Sequence, residues 1–374
     1  MRIEPVTTPY APNVQALFDR LPASWSPPFK LFTVLARDER LLLRWTGGAV
    51  SYLEPSHLTV RQREVLLLRV TARSRCAYEW GMRVHYFAGQ ADLSDDQIYA
   101  TVYGDHTDPG WSATDMVLIR LADELHDTVD VCDQLWTDLK KSFSDEAIMQ
   151  LLMMAGYYRT VAYVANGLKG SARTGGRSTV PRTEKLAMRI QPPIPPYSAE
   201  VQAEFELLPR SWQPPFQHYG LLGRDPRLLR AYRLGSVAYL DPSHITVRQR
   251  EVFLLRVTGR CQNAFEWTLR VHYFADDAGL TEAQLRASVH GSADDRCWQY
   301  GDRILIRLAD ELHDTATISD ALWQDMRAAF TDEAILQLLL LAGHYRTNAY
   351  VSKGLRVPVE SRVKRPFPVE QTDV

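Results

Sequence analysis

Between Arg75 and Ala88 (RCAYEWGMRVHYFA) the chain carries a thiol, a carboxylate, a guanidinium and an imidazole: Cys76, Glu79, Arg83 and His85. In a helix, residues three and four apart share a face, so Cys76, Glu79 and Arg83 form one row. His85 lies six residues beyond Glu79, roughly 240° around the axis, and belongs to another side. A carboxyl beside a guanidinium can move a proton and steady a developing anion. The bland alternative is a solvated Glu–Arg pair, worth only about a few tenths of a kcal/mol. Two features weigh against it. The flanks AYEW and VHYFA are aromatic and apolar, and Glu64, twelve residues before Cys76, is followed at once by VLLL. A carboxylate in such a run must be paired or hold its proton more tightly than usual, which points to proton chemistry.

The elements that must position these groups occur twice. QNAFEWTLRVHYFA, Gln262 to Ala275, repeats the first stretch at a shift of 187 residues, and MRIEP/MRIQP and two copies of IRLADELHDT keep the same offset without a gap. The second copy supplies Glu251, Glu266, Arg270 and His272, with Asn263 in place of Cys76. A period this long describes a duplicated domain rather than a solenoid. The expected organisation is residues 1–168, a linker over 169–187 that is basic and rich in Gly, Ser and Thr, and residues 188–374, with the copies packed as a pseudo-symmetric pair.

Each copy reads as helical. Ser/Thr-x-x-Gln capping boxes stand at Thr59, Ser94, Thr246 and Thr281. Ser112 to Thr128 has amphipathic helical spacing, and the segment after Ser144 should be one long helix ending near Gly167. Thr59 to Ser74 is apolar on nearly all sides and should be a buried central helix. No stretch alternates with period two, so the fold class is all-α.

The 374 residues are 45% hydrophobic and 24% charged, with formal charge −2, which argues against nucleic acid and anionic membranes as partners. The expected partners are a small-molecule substrate and further copies of the chain. No apolar run resembles a signal peptide or a membrane span, so the expected location is cytoplasmic. Cys76, Cys132, Cys261 and Cys297 show no metal-ligand spacing, so no metal is expected.

Taken in order, the buried-helix Glu, the Cys twelve residues on, the acidic residue three further and the basic residue four beyond resemble the carboxymuconolactone decarboxylase and alkylhydroperoxidase-D-like superfamily. YEW, GLTEAQL, LADELHD and the late GYYR or GHYR are similar to its decarboxylase-type branch, over Leu17 to Leu168 and Phe205 to Leu355. The resemblance implies an alkylhydroperoxidase-D-like helical domain in each copy. It matches Glu64 and Glu251 to the proton-relay Glu of the redox branch, and Cys76 to its first Cys. Glu79 and Glu266 fall on its second, peroxidatic Cys, and Arg83 and Arg270 on its His. The dithiol of peroxide reduction is therefore absent from both copies. Decarboxylase-type members place a His where this chain has Arg83 and Arg270; Arg is a poor general acid but holds carboxylates well.

The resulting expectation is a cofactor-independent acid–base enzyme, of decarboxylase/lyase or isomerase type, acting on a small carboxylated, lactone-like or enolisable substrate. Glu79 and Glu266 would move the proton, Arg83 and Arg270 would grip a carboxylate or enolate, Glu64 and Glu251 would relay, and Cys76 would be auxiliary. Trp80, Trp267, His85 and His272 are candidate substrate contacts, with packing as the alternative. Tyr158–Arg159 and Tyr345–Arg346 could reach a pocket or merely pack between helices. His57 and His244 precede helices, while His126 and His313 lie near helix ends, where a cation complements the dipole. Two rival readings stay open: a single-cysteine peroxidase using Cys76 with Glu64 as its base, and a non-catalytic ligand-binding or assembly protein. The resemblance also implies trimers or hexamers, so three tandem chains would form a pseudo-hexamer.

Overall fold

The computed structural model describes residues 2–21, 26–51, 57–169, 188–237, 244–361, 363 and 365–368. Beyond Lys169, the expected linker lies outside these residues. Among the described residues the chain is all-α, with no strand. Nine helices come first: α1 (Pro12–Phe18), α2 (Lys30–Leu35), α3 (Glu39–Ser51), α4 (Val60–Arg73), α5 (Ala77–Phe87), α6 (Asp95–Tyr103), α7 (Ala113–Thr128), α8 (Asp133–Ser142) and α9 (Asp145–Lys169). Nine follow them: α10 (Ala199–Glu206), α11 (Gln217–Leu222), α12 (Pro226–Val237), α13 (Val247–Arg260), α14 (Ala264–Phe274), α15 (Glu282–His290), α16 (Tyr300–Thr315), α17 (Asp320–Ala329) and α18 (Asp332–Gly354). No helix among the described residues is long and apolar enough to cross a membrane.

The helix starts follow the local chemistry. Thr59, Ser94, Thr246 and Thr281 each accept from the backbone N–H three residues on, while the Gln there bonds back to the cap N–H, and Ser112 makes the same box with Asp115. Each box satisfies two otherwise orphaned donors. Arg63 to Thr71 of α4 and Arg250 to Gly259 of α13 are buried without interruption, as their all-round apolar pattern requires. α9 is described to Lys169, two residues past the expected end near Gly167, so Gly167 itself is helical and not a cap. Gly167 serves packing instead: a Cβ there would come within 3.2 Å of Ile318.

One large apolar core runs through both copies, with a smaller separate cluster around Trp267 and Leu255 in the second; α9 and α18 meet along their lengths within the large one. The approach is close enough to demand glycine. A Cβ on Gly156 would lie 2.6 Å from the Cα of Thr347, and one on Gly343 would lie 2.1 Å from Oγ1 of Thr160. These contacts are reciprocal, since 156 and 343, like 160 and 347, stand at the repeat offset. Reciprocity extends to the edges. Nε2 of His57 lies 2.6 Å from Asp225, and His244 bonds to Asp38. Both aspartates are held below the usual carboxylate range: burial would raise them, and the histidine and backbone hydrogen bonds outweigh it.

Replacing Gly343 with Ala should cost about 1–3 kcal/mol by overpacking the α9–α18 contact. Gly81→Ala, where a Cβ meets nothing within 4 Å, should be neutral or stabilising. Denaturant unfolding of the two variants checks the contrast.

Candidate active site

α5 crosses beside α4, and the pair buries an ion cluster. Glu64 is fully buried and Arg83 is 2% exposed. Nε and Nη2 of Arg83 donate to the two oxygens of Glu64 at 2.5 and 2.6 Å, and Nε of Arg63 adds a third bond at 2.7 Å. Nη1 of Arg83 donates to the hydroxyl of Tyr158, from α9, at 2.6 Å and stands 3.5 Å from Glu79 Oε1. The second copy repeats each feature: Arg270 binds Glu251 through Nε and Nη2, donates to the Tyr345 hydroxyl at 2.5 Å and lies 3.5 Å from Glu266.

This geometry alters two expected roles. Both oxygens of Glu64 accept from guanidinium N–H groups, so it anchors Arg83 rather than standing free as a relay. The Nε–Nη2 edge of Arg83 is in turn closed on Glu64 and Nη1 is bonded to Tyr158, so its charge is already answered by a buried carboxylate before any substrate arrives. What Arg83 presents to the adjoining space is Tyr158. That hydroxyl accepts from Arg83 and keeps its own proton to donate, and burial raises it above the ordinary tyrosine range.

Glu79 and Glu266 border two cavities of about 530 and 400 Å³, counting their open mouths. Aromatic rings form much of both walls: Phe29, Phe32, Trp45, Tyr86 and Phe87 in the first, Phe216, Tyr219, Tyr232, Tyr273 and Phe274 in the second. Burial pushes Glu79 above the usual carboxylate range, with the charge of Glu64 adding to it, against the pull of Arg83. Burial pushes Glu266 up to about 7 despite Arg270 and a 2.8 Å bond from Asn348 Nδ2. Both side chains keep some exposure, 17% and 10%, so a ligand in the cavity can meet them.

The other candidates fall elsewhere. Cys76 is the N-cap residue of α5, 1% exposed and outside the cavity lining, although it starts the row. Its counterpart Asn263 bonds to Asn348 and so braces Glu266 from behind. Trp80 and Trp267 also lie outside the lining and donate to the hydroxyls of Thr101 and Ser288 at 3.0 and 2.9 Å. His85 and His272 are exposed and line neither cavity. Tyr158 and Tyr345 reach the cavities, while Arg159 and Arg346 pair instead with His126 and His313 at 2.9 and 3.0 Å. Burial and those guanidinium groups lower His126 to about 2 and His313 well below its ordinary value. Both rings are therefore neutral acceptors, and the expected cation at the helix end is not there. The α2–α3 walls, with Trp45 and its counterpart Tyr232, were not anticipated; isolated aromatics near short helices carry no periodic signal.

No family model, curated protein or solved structure matches the chain.

Removing Arg83 while Glu64 remains leaves a buried carboxylate still bonded by Arg63 but with one oxygen without its bond. Arg83→Met should cost about 3–5 kcal/mol in chemical unfolding, whereas Glu79→Gln should lower stability little or raise it at pH 8. A near-neutral Arg83→Met would contradict the anchor role.

Proposed function

We propose that the chain is a tandem member of the carboxymuconolactone decarboxylase and alkylhydroperoxidase-D-like superfamily. In this reading it is a cofactor-independent enzyme that transfers protons on a small enolisable or lactone-like substrate. The observation that carries the reading is a carboxyl of raised pKa on the wall of an aromatic cavity, next to a hydroxyl held by an already neutralised guanidinium. A general base or acid works best when its pKa lies near the working pH, and Glu266 at about 7 meets that condition.

The proposed step uses groups in contact. Ionised Glu79 takes a proton from carbon next to a carbonyl; the C–H bond breaks, and its electron pair moves through carbon to the carbonyl oxygen. The enolate oxygen accepts from the Tyr158 O–H, which the bond from Arg83 polarises. Negative charge moves from Glu79 to the enolate, so the net charge of the site is unchanged. Protonated Glu79 then returns the proton to a different carbon, completing an isomerisation. With a β-keto acid, loss of CO₂ forms the same enolate, and protonated Glu79 quenches it. The closed fork of Arg83 favours lactones and ketones over substrates that need a carboxylate grip. The buried position of Cys76 outside the cavity weighs against thiol peroxidase chemistry.

The reciprocal contacts of the fold support packing of the copies as a pseudo-symmetric pair, and three chains would make a pseudo-hexamer. We place the enzyme in the cytoplasm, where its four free thiols would stay reduced.

Small lactones and β-keto acids screened in D₂O by NMR should show solvent deuterium entering next to the carbonyl. The double variant Glu79→Gln, Glu266→Gln should abolish it, with the melting temperature nearly kept; retained exchange would refute the assignment. Tyr158→Phe with Tyr345→Phe should lower kcat by about 10²–10³-fold. In a chain carrying Glu79→Gln alone, kcat/KM should rise with pH through about 7, as Glu266 ionises to act as base.

A further inference from the structure

The two cavities share their catalytic groups but differ in the residues around them. Twelve of the wall positions correspond at the repeat offset. Among these, Leu31 of the first cavity stands where the second has His218, Trp45 where it has Tyr232, Tyr157 where it has His344 and Val161 where it has Asn348. Phe32 and Met82 also differ from Tyr219 and Leu269, making six changes in all; three of them, Leu to His, Phe to Tyr and Val to Asn, put a hydrogen-bonding group where the first cavity has none, and Trp to Tyr adds an acceptor.

The second cavity holds unmet capacity in its wall. His218 is 3% exposed and set among the rings of Phe216, Tyr219, Tyr232 and Phe265, and its Nδ1 has no hydrogen-bond partner. The Tyr232 hydroxyl, equally buried, faces Asn348 without a hydrogen bond of normal geometry. A buried polar atom left unpaired costs free energy that a ligand of matching chemistry recovers on binding. Burial lowers His218 and His344 to about 3, so the imidazoles are uncharged. The one guanidinium in the lining, Arg270, has its fork closed on Glu251. These groups suit a neutral ligand with both a hydrogen to give and a lone pair to offer. The first cavity differs: its unpaired wall group is the Trp45 indole N–H, a donor only, which suits a bare acceptor such as a carbonyl oxygen.

We propose that the two cavities take different ligands, the second being a site for an uncharged cyclic ligand bearing a hydroxyl group, met by His218 and the Tyr232 hydroxyl. The proposal rests on reading both cavities as ligand sites, and it adds a division of labour between the copies that the shared Glu, Arg and Tyr do not require.

Phenol and fluorobenzene, similar in shape and differing in the hydroxyl, serve as probes of the intact chain. Calorimetric titration with phenol should show a tighter and a weaker site. His218→Leu with Tyr232→Trp, which gives the second cavity the first cavity's residues at these two positions, should weaken the tighter site at least tenfold and change fluorobenzene binding by less than twofold. Tyr232→Phe alone, a milder change, should weaken phenol at the same site by at least threefold. In ¹⁵N NMR, the His218 Nδ1 resonance should move with phenol and stay with fluorobenzene. Equal losses for both probes, or no loss for phenol in either variant, would overturn the proposal. Binding is read here without turnover. A persistent phenol preference beside deuterium exchange that survives Glu79→Gln, Glu266→Gln would sink the proton-transfer reading and leave this one standing. Loss of exchange in that variant without any phenol preference would do the reverse.

Discussion

Everything at the site hangs on one buried ion pair, Glu64 with Arg83, and its repeat, Glu251 with Arg270. Removing both charges from water costs several kcal/mol per ion, and only close geometry with both carboxylate oxygens hydrogen-bonded offsets that penalty. The molecule provides it: three N–H bonds reach the two Glu64 oxygens, and the free side of the guanidinium finds Tyr158. The pair also fixes three helices at once, because Glu64 belongs to α4, Arg83 to α5 and Tyr158 to α9.

The pair governs the chemistry as well. With its fork closed on Glu64, Arg83 can attract Glu79 only partly, from 3.5 Å. Burial and the neighbouring anion then prevail, and the Glu79 carboxyl is raised. Had Arg83 been free to chelate Glu79, a lowered pKa would be expected and the proton would be lost at neutral pH. The anchor thus leaves a second carboxyl able to exchange its proton, beside a hydroxyl that is polarised and neutral. Aromatic walls line this arrangement with apolar surface, and the lower local dielectric strengthens each electrostatic contact within it.

Much of this was legible in the sequence where local chemistry is self-contained. Capping boxes placed α4, α6, α13 and α15, and helical spacing put Glu79 and Arg83 on one face, since both signals depend on residues within one turn. The apolar run after Glu64 correctly demanded a partner for its carboxylate. Identifying that partner as Arg83 through its fork was beyond spacing, because the contact spans two helices. The same limit hid Tyr158 as the third member and the aromatic walls from α2 and α3. Two local readings failed to tertiary context. His126 and His313 sit near helix ends, yet buried arginines make them neutral acceptors, and Gly167 lies inside α9 where Ile318 packs against it. Comparing the copies was informative in both directions: agreement at Glu, Arg and Tyr marks the shared apparatus, and disagreement at Cys76 and Asn263 removes sulfur from it.

The central claim is that the anchored guanidinium leaves Glu266 titrating far above an ordinary carboxyl. Its most direct test is an infrared or ¹³C NMR titration of the side-chain carboxyl in the intact chain, assigned by difference from Glu266→Gln. The account predicts a carboxyl signal lost to carboxylate with a midpoint at about 7. A midpoint in the ordinary range, near about 4, would show a permanently ionised Glu266 and contradict the account.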